Sequence, residues 1–253
     1  MSEHVWADWQ QKAQQVGWPF WAGLVFFFWT VIGLVCLFEY SVKWLHDENA
    51  LPIEKLEVKG HEEYVIPSDV LEALRPQMRQ SFFTLDVNQV QQRVESLAWV
   101  YRVSVRKEWP NRLKIYVTEQ APAVHWNGDF LLNTQGDVFQ ADLSRLQQAL
   151  AKLYGPEGDE KEALKIYSDL TELISLYGLA INEMALSERH ALSLTLDNGI
   201  NVNLGREDWL NRSKRFLDLL PKLAAKHDIE YVDLRYDTGF ALGVKEEQET
   251  KTK

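Results

Sequence analysis

Residues Phe20 to Phe38 form an apolar run of nineteen residues that contains no charged side chain and no proline. Its polar side-chain groups are the hydroxyl of Thr30 and the indole N–H groups of Trp21 and Trp29. A helix of this length would span about 28 Å at ~1.5 Å per residue, close to the ~30 Å hydrocarbon core of a bilayer. The run therefore predicts a transmembrane helix.

Two other interpretations of the run are weaker. A buried core helix is usually shorter and amphipathic. A cleaved signal peptide has an apolar stretch of only ~7–15 residues and a small-x-small cleavage site, which does not follow Phe38 here. Aromatic rings at both ends, including Trp18 and Trp44, suit the headgroup level of a membrane. We predict an uncleaved anchor, with the membrane-contacting residues Phe20, Trp21, Phe28, Trp29 and Phe38.

The charges that flank the run leave its orientation open. Lys12 and the α-amino group lie on one side and Lys43 and Lys55 on the other, so the positive-inside rule finds no clear asymmetry. The formal net charge of −10 argues against nucleic acid as a partner and against broad contact with anionic headgroups. Cys36 is the only cysteine and lies inside the run, so the rest of the chain has no thiol for catalysis, metal binding or a disulfide.

The segment that follows the anchor predicts a small α+β domain. A strand is expected at 53–59, a helix from Pro67, and a second helix with Asp86 as its N-cap. Two strands follow, at 99–109 and 112–117, joined by a turn at Pro110 and Asn111. Tyr101, Val103 and Val105 are expected to share the buried face of the first of these. The predicted order is strand, helix, helix, strand, strand.

The remainder of the chain mixes helical and strand patterns. Strands are expected around 125–127 and 133–140, then a helix from Ala141 through Leu150. Helices are predicted at 163–177 and 206–226, the second kinked or broken at Pro221. Apolar residues alternate with polar residues on both sides of Asp197-Asn198-Gly199, which predicts a hairpin. The last strands are expected at 231–236 and 240–244, before a disordered polar tail.

Several segments together resemble one bacterial family. They are VKG at 58–60, WVYRVSVRKEWPNRLKIYVTEQAP at 99–122, LYGPEG at 153–158, SLTLDNGINVNLGR at 193–206 and YVDLRYDTG at 231–239. In their order they resemble the FtsQ/DivIB-type cell-division proteins, which carry a POTRA domain and a β domain behind one membrane anchor. The fold class implied is α+β, with a βααββ POTRA domain and then a mixed α/β domain with a largely antiparallel sheet.

The resemblance implies a cytoplasmic tail at 1–18, a transmembrane helix at 19–40, a connector at 41–52, a POTRA domain at 53–121, a β domain at 122–244 and a tail at 245–253. It also implies a single-pass protein of the inner membrane whose bulk is periplasmic and which gathers at the division site. Its expected role is a non-catalytic scaffold that links early and late division proteins. The β domain would bind FtsB and FtsL, and the POTRA domain other division proteins.

The stretch Tyr231 to Gly239 is the candidate contact. A strand near the end of a chain often lies at a sheet edge, where a partner strand can pair with it. Within a strand Arg235 and Tyr236 would face opposite sides. From the residues alone, an internal strand with a solvated arginine is equally compatible. The resemblance implies that FtsB and FtsL contact Arg235, Tyr236, Thr238 and Gly239, with Arg189 as a further charged contact; some relatives have an aromatic residue where Val244 stands.

No pattern in the sequence indicates catalysis. None of the six histidines lies three or four residues from another, and no serine-hydrolase, zinc-protease or phosphate-loop motif is present. We therefore predict no cofactor, no metal and no small-molecule ligand. Two alternatives remain: an anchored periplasmic enzyme that acts on the cell wall through paired carboxylates, and a POTRA-bearing chaperone or outer-membrane transporter. The enzyme requires a pocket with converging carboxylates of raised pKa.

Overall fold

The computed structural model describes residues 18–46, 52–60, 63–236 and 238–244. The chain divides into two compact units: the first draws on residues 1–59, 67–94 and 103–117, and the second on residues 60–66, 95–102 and 118–253. The two tails of the chain, predicted at 1–18 and 245–253, lie outside the described residues except for Trp18.

The apolar run forms one long helix, α1 (Trp18–His46). In the described part of the chain it is the one helix long and apolar enough to cross a membrane. The Thr30 hydroxyl donates to the Phe26 carbonyl at 2.8 Å, so its hydrogen bond is satisfied within the helix, as a span in lipid requires. The helix continues past the predicted end at residue 40, because no glycine or proline interrupts residues 39–46.

A three-stranded sheet and two helices follow in the predicted order. The sheet has the order β1 (Lys55–Lys59), β3 (Arg112–Glu119), β2 (Val100–Glu108), with β1 parallel to β3. The helices are α2 (Pro67–Leu74) and α3 (Val87–Glu95). Asp86 accepts a bond from the backbone N–H of Asn88 at 2.8 Å, which confirms the predicted cap. Tyr101 is exposed and Val100 is buried instead, so the expected inward position of Tyr101 is wrong.

The second unit is built on a nine-stranded sheet with the order β12-β11-β10-β9-β8-β7-β4-β5-β6. Most neighbours are antiparallel, and the pairs β10–β11, β7–β8 and β4–β7 are parallel. The strands are β4 (Pro122–Trp126), β5 (Phe130–Asn133), β6 (Val138–Phe139), β7 (Lys152–Tyr154), β8 (Ile181–Leu186), β9 (Leu192–Leu196), β10 (Asn201–Gly205), β11 (Ile229–Asp233) and β12 (Ala241–Val244).

Two helices, α4 (Glu160–Ser175) and α5 (Trp209–Ala224), contribute to the hydrophobic core of this unit. Their buried residues recur at helical spacing, for example Ile166, Leu170 and Ile174 on α4. The predicted β9–β10 hairpin is confirmed, with Leu192, Leu194 and Leu196 buried in the same core.

The structure differs from the local predictions at three points. Residues 141–150 contain only a 3₁₀ turn at Leu143–Arg145, begun by Asp142 as a cap for Ser144, and no α-helix. The strands β7 and β8 were not predicted. A strand of three residues such as β7 is too short to show a period, and its position depends on the burial of Leu153 and on pairing with β4 and β8. The break that was one alternative at Pro221 does not occur, since α5 continues through it to Ala224. The free energy gained by burying Leu217 and Leu220 offsets the cost of the backbone hydrogen bond that the proline cannot make.

Candidate partner-binding site at the edge of the large sheet

The strand β12 forms one edge of the nine-stranded sheet, and β11 lies inside the sheet between β10 and β12. The expectation that the strand beginning at Tyr231 forms the edge is therefore wrong. That strand is internal, as the alternative interpretation had it. The strand after it supplies the open edge, since no other described strand pairs with the outer side of β12.

Arg235 and Tyr236 lie beyond the end of β11 rather than within it. The N–H of Leu234 makes a last bond to the carbonyl of Asn203 at 2.8 Å. Asp233 Oδ1 then accepts the N–H of Arg235 at 3.1 Å, and this turn takes the chain out of the strand. Both side chains are exposed, and because the two residues lie outside the strand, the alternation predicted for them within a strand does not apply.

The guanidinium of Arg235 is held by the carboxylate of Asp233. Nε lies 2.9 Å from Oδ1 and Nη2 lies 2.6 Å from Oδ2, which is a two-pronged, charge-assisted contact. These hydrogen bonds lower the pKa of the Asp233 carboxyl below its ordinary value, against an opposing effect of burial. The Arg235 side chain keeps 59% of its surface exposed. It is therefore oriented by the protein and still open to a partner.

Arg215 on α5 fixes the loop between β11 and β12. Its Nη2 donates to the carbonyl of Tyr236 at 2.9 Å and to that of Gly239 at 3.2 Å. The guanidinium of Arg215 thus binds the chain both before and after Thr238. The side chain of Thr238 is exposed, and Gly239 is half-buried. The loop is therefore held by α5 as well as by Asp233 at the end of β11.

The edge strand is seated by two aromatic contacts. The ring of Tyr231 on β11 lies across Gly243, where a Cβ atom would overlap Cδ1 and Cε1 of the ring. Phe240, just before β12, meets the buried ring of Phe216 on α5 edge-on, with ring centroids 6.2 Å apart. An aromatic ring over a glycine covers the backbone where the glycine has no side chain and pins the register of the pair.

Arg189 lies in the turn between β8 and β9 and is exposed. Leu192 pairs with Gly205 and Asn203 pairs with Asp233, so the start of β9 and the end of β11 are at the same end of the sheet. One strand separates them, which is about 10 Å at ~4.8 Å per strand. The structure therefore places Arg189 and the Arg235 loop at one end of the sheet.

The described residues offer no arrangement for a metal ion, since no group of three or more His, Cys, Asp or Glu side chains comes together among them. A groove of about 660 Å³ beside α4 is lined by residues of mixed charge, including Lys161, Lys165, Asp169 and Glu172. Within the described part of the chain, hydrogen bonds lower the pKa of the carboxyl groups of Glu108, Asp142 and Asp233.

The fold and this site can be compared with known proteins. Residues 51–120 match the family described as POTRA domain, FtsQ-type, and residues 124–235 match the family described as Cell division protein FtsQ/DivIB, C-terminal. Among curated proteins, the chain is 42% identical to the cell division protein FtsQ of Shewanella oneidensis, over 94% of this chain and 93% of the relative. It is 39% identical to the FtsQ of Vibrio cholerae, over 88% and 87% of the two chains. The FtsQ of Escherichia coli is 37% identical, over 88% of this chain and 83% of the relative.

Together the folds and matches define the class: a bacterial division protein with a POTRA domain, a large mixed sheet and, in the part of the chain that the structure describes, one apolar helix that fits a membrane anchor. Within that class, the chain belongs to the FtsQ family of cell-division proteins.

The sequence did not predict which residues hold the loop and the edge strand in place. Asp233 carried a local signal, because it lies two positions before Arg235 and could form a turn with it. Arg215 carried none, since it is 21 residues from Tyr236 along the chain. Tyr231 begins the stretch that was singled out and Gly243 lies four residues beyond its end, but their contact depends on the pairing of β11 with β12.

Proposed function

We propose that this chain is a non-catalytic scaffold of the division complex, and that β12 and the Leu234–Phe240 loop bind the FtsB and FtsL proteins. The observation that carries the proposal is the open edge of β12, which continues directly from a loop with exposed Arg235, Tyr236 and Thr238. Its relatives are named as cell division proteins, which supports a role in division.

An open edge strand binds a partner by extending the sheet. The partner's backbone supplies hydrogen bonds that any sequence can make, and side chains beside the strand supply the specificity. Here the guanidinium of Arg235 is held in one orientation by Asp233 and can bind an acidic side chain of the partner. The side chain of Tyr236 is 57% exposed and can pack against the partner. Arg189, at the same end of the sheet, extends the positive surface. We propose a partner segment that is extended and carries an acidic residue near the Arg235 end.

The domain plan of the proposal has a cytoplasmic tail at 1–18, a transmembrane helix at 19–40, a connector at 41–52, a POTRA domain at 53–121 and a β domain at 122–244. We place the anchor in the inner membrane and both domains in the periplasm. The POTRA domain would bind other division proteins. A reporter that is active only in the cytoplasm, fused after Lys253, should be inactive. Activity of this reporter would show that the domains lie in the cytoplasm and would contradict the proposed orientation.

An anchored cell-wall enzyme is the competing function. Paired carboxylates for acid–base chemistry need one group with a raised pKa. Among the described residues, the pKa values of the Glu108, Asp142 and Asp233 carboxyl groups are lowered rather than raised, and Asp233 is engaged by Arg235. These observations favour binding over catalysis as the role of this region.

The proposal is tested by capture of FtsB and FtsL segments on the purified full chain. Arg235→Glu and Tyr236→Ala should each abolish capture, whereas Lys222→Glu, an exposed charge reversal on α5, should leave it unchanged. Hydrogen exchange of the complex should slow at residues 241–244. Protection confined to other strands, with capture retained by the two folded variants, would rule out the edge-strand site.

A further inference from the structure

Exposed aromatic rings gather at one end of the first unit. Trp109, in the turn between β2 and β3, is 77% exposed. Phe83 and Trp44 are 45% and 48% exposed. Large aromatic rings are mostly buried in folded proteins, and several exposed rings that lie together mark an interaction surface.

Described contacts connect this end of the unit to the last turn of α1. The Ser81 hydroxyl donates to the carbonyl of Leu45 at 3.0 Å, and Ser81 also forms a β-bridge with Pro52. The N–H of Glu54 donates to the carbonyl of Asn111, in the β2–β3 turn, at 3.2 Å. The hairpin tip therefore lies at the end of the small sheet where the chain arrives from the apolar helix.

Phe83 is connected to the same tip through Lys107. The Lys107 ammonium donates to the carbonyl of Phe83 at 3.3 Å and lies 5.5 Å from the centre of the Phe82 ring. Lys107 is two residues before Trp109, and Arg112, which is exposed, is three residues after it. Two aromatic rings and two basic side chains thus share the end that faces the helix terminus.

The helix sets the height of this end above the bilayer. The eight residues from Glu39 to His46 add about 12 Å beyond the apolar run, which carries the helix through the headgroup layer. Tryptophan prefers that layer because its ring is apolar and its N–H can reach water. Because Ser81 binds the carbonyl of Leu45, this end of the first unit lies next to the headgroup layer, on the side away from the hydrocarbon core.

We propose that Trp109 and Phe83 insert into the lipid headgroup interface beside α1, so that the first unit rests on the membrane as well as being tethered to it. The partner is the bilayer surface itself. The contact is local and mainly aromatic, and is therefore compatible with the acidic net charge of −10, which opposes broad contact with anionic lipid. The inference depends on α1 crossing a membrane and is independent of which proteins the chain binds.

The test uses the full chain with Cys36→Ser, reconstituted in phosphatidylcholine nanodiscs that contain headgroup-spin-labelled lipid. An environment-sensitive fluorophore is attached to one introduced cysteine. In the test variant the cysteine is Asn111→Cys, so that Trp109 is left in place, and in the control variant it is Tyr116→Cys. Tyr116 is exposed and lies four residues further along β3 than Arg112, about 13 Å at ~3.3 Å per residue. We expect several-fold stronger quenching at position 111 than at position 116.

The aromatic residues are then changed in the Asn111→Cys chain. Trp109→Ser and Phe83→Ser should each reduce the quenching towards the value at position 116, and Trp109→Tyr should retain it. Far-UV circular dichroism should be unchanged, because Trp109 is mostly exposed. Equal quenching at positions 111 and 116, or quenching that neither serine variant reduces, would overturn the proposal.

Discussion

The ring of Tyr231 covers Gly243, and residue 243 has no room for a side chain beneath that ring. The two residues pair across β11 and β12, so this contact joins the edge strand to its only described neighbour in the sheet. The edge strand has four residues, which gives it few ladder hydrogen bonds. We conclude that its position depends on this contact and on the loop before it.

Adding a side chain at residue 243 should displace the edge strand. In Gly243→Ala the new methyl group overlaps the Tyr231 ring, and we expect faster hydrogen exchange at 241–244 and weaker capture of FtsB and FtsL segments. Tyr231→Ala in the same chain removes the overlap and should restore part of the loss. The coupling between the two changes should be about 0.5–3 kcal/mol in the free energy of unfolding, as for other residues in contact. Strictly additive changes would mean that the ring does not hold the strand.

Loss of the Arg215 guanidinium should release the loop that precedes the edge strand. Arg215→Ala leaves the carbonyls of Tyr236 and Gly239 without this donor. We expect a loss of about 1–3 kcal/mol in the free energy of unfolding, measured by urea denaturation, because the donor is charged and partly buried. Capture of the partner should weaken as well. The neighbouring Lys214→Ala, at an exposed position, is the matched control and should change neither quantity.

The contact between Asp233 and Arg235 should make stability depend on pH. Because Arg235 lowers the pKa of Asp233 in the folded chain, the carboxylate stabilises the fold above its unfolded pKa of ~3.9, and this contribution is lost as pH falls through the lower folded value. Asp233→Asn should therefore be less stable than the parent at neutral pH. The difference should shrink at acidic pH, which thermal unfolding across a pH series will measure. A difference that persists unchanged at the acid end would show that the charge is not its source.

Truncation of Phe216 should be costly because its ring is 1% exposed and supports Phe240. We expect Phe216→Ala to lower the free energy of unfolding by about 3–5 kcal/mol. Leu219→Ala, on the same helix but 39% exposed, should cost far less. If the two variants lost equal stability, the packing of α5 beneath the sheet would have to be reconsidered.

Elements with a strong local pattern were predictable. The apolar run, the helix after Asp86 and the β9–β10 hairpin each follow from spacing within a few turns or strands of chain. The strand β7 escaped because three residues give no period, and its parallel neighbours are separated from it by many residues. Of the candidate site, the stretch after Tyr231 was found. The conformation of Arg235 was not, because the turn at Asp233 ends the strand that simple alternation would have continued.

The sequence by itself determined that the chain has a bilayer-length apolar helix and that it resembles the FtsQ/DivIB-type proteins. These properties depend on composition and on residue order over short distances. The tertiary structure decided that β12 and not β11 forms the open edge, that Arg215 holds the loop between them, and that Arg189 and Arg235 are at the same end of the sheet. Each of these depends on hydrogen bonds and packing between segments far apart in the chain, and local periodicity carries no information about which distant strands will pair.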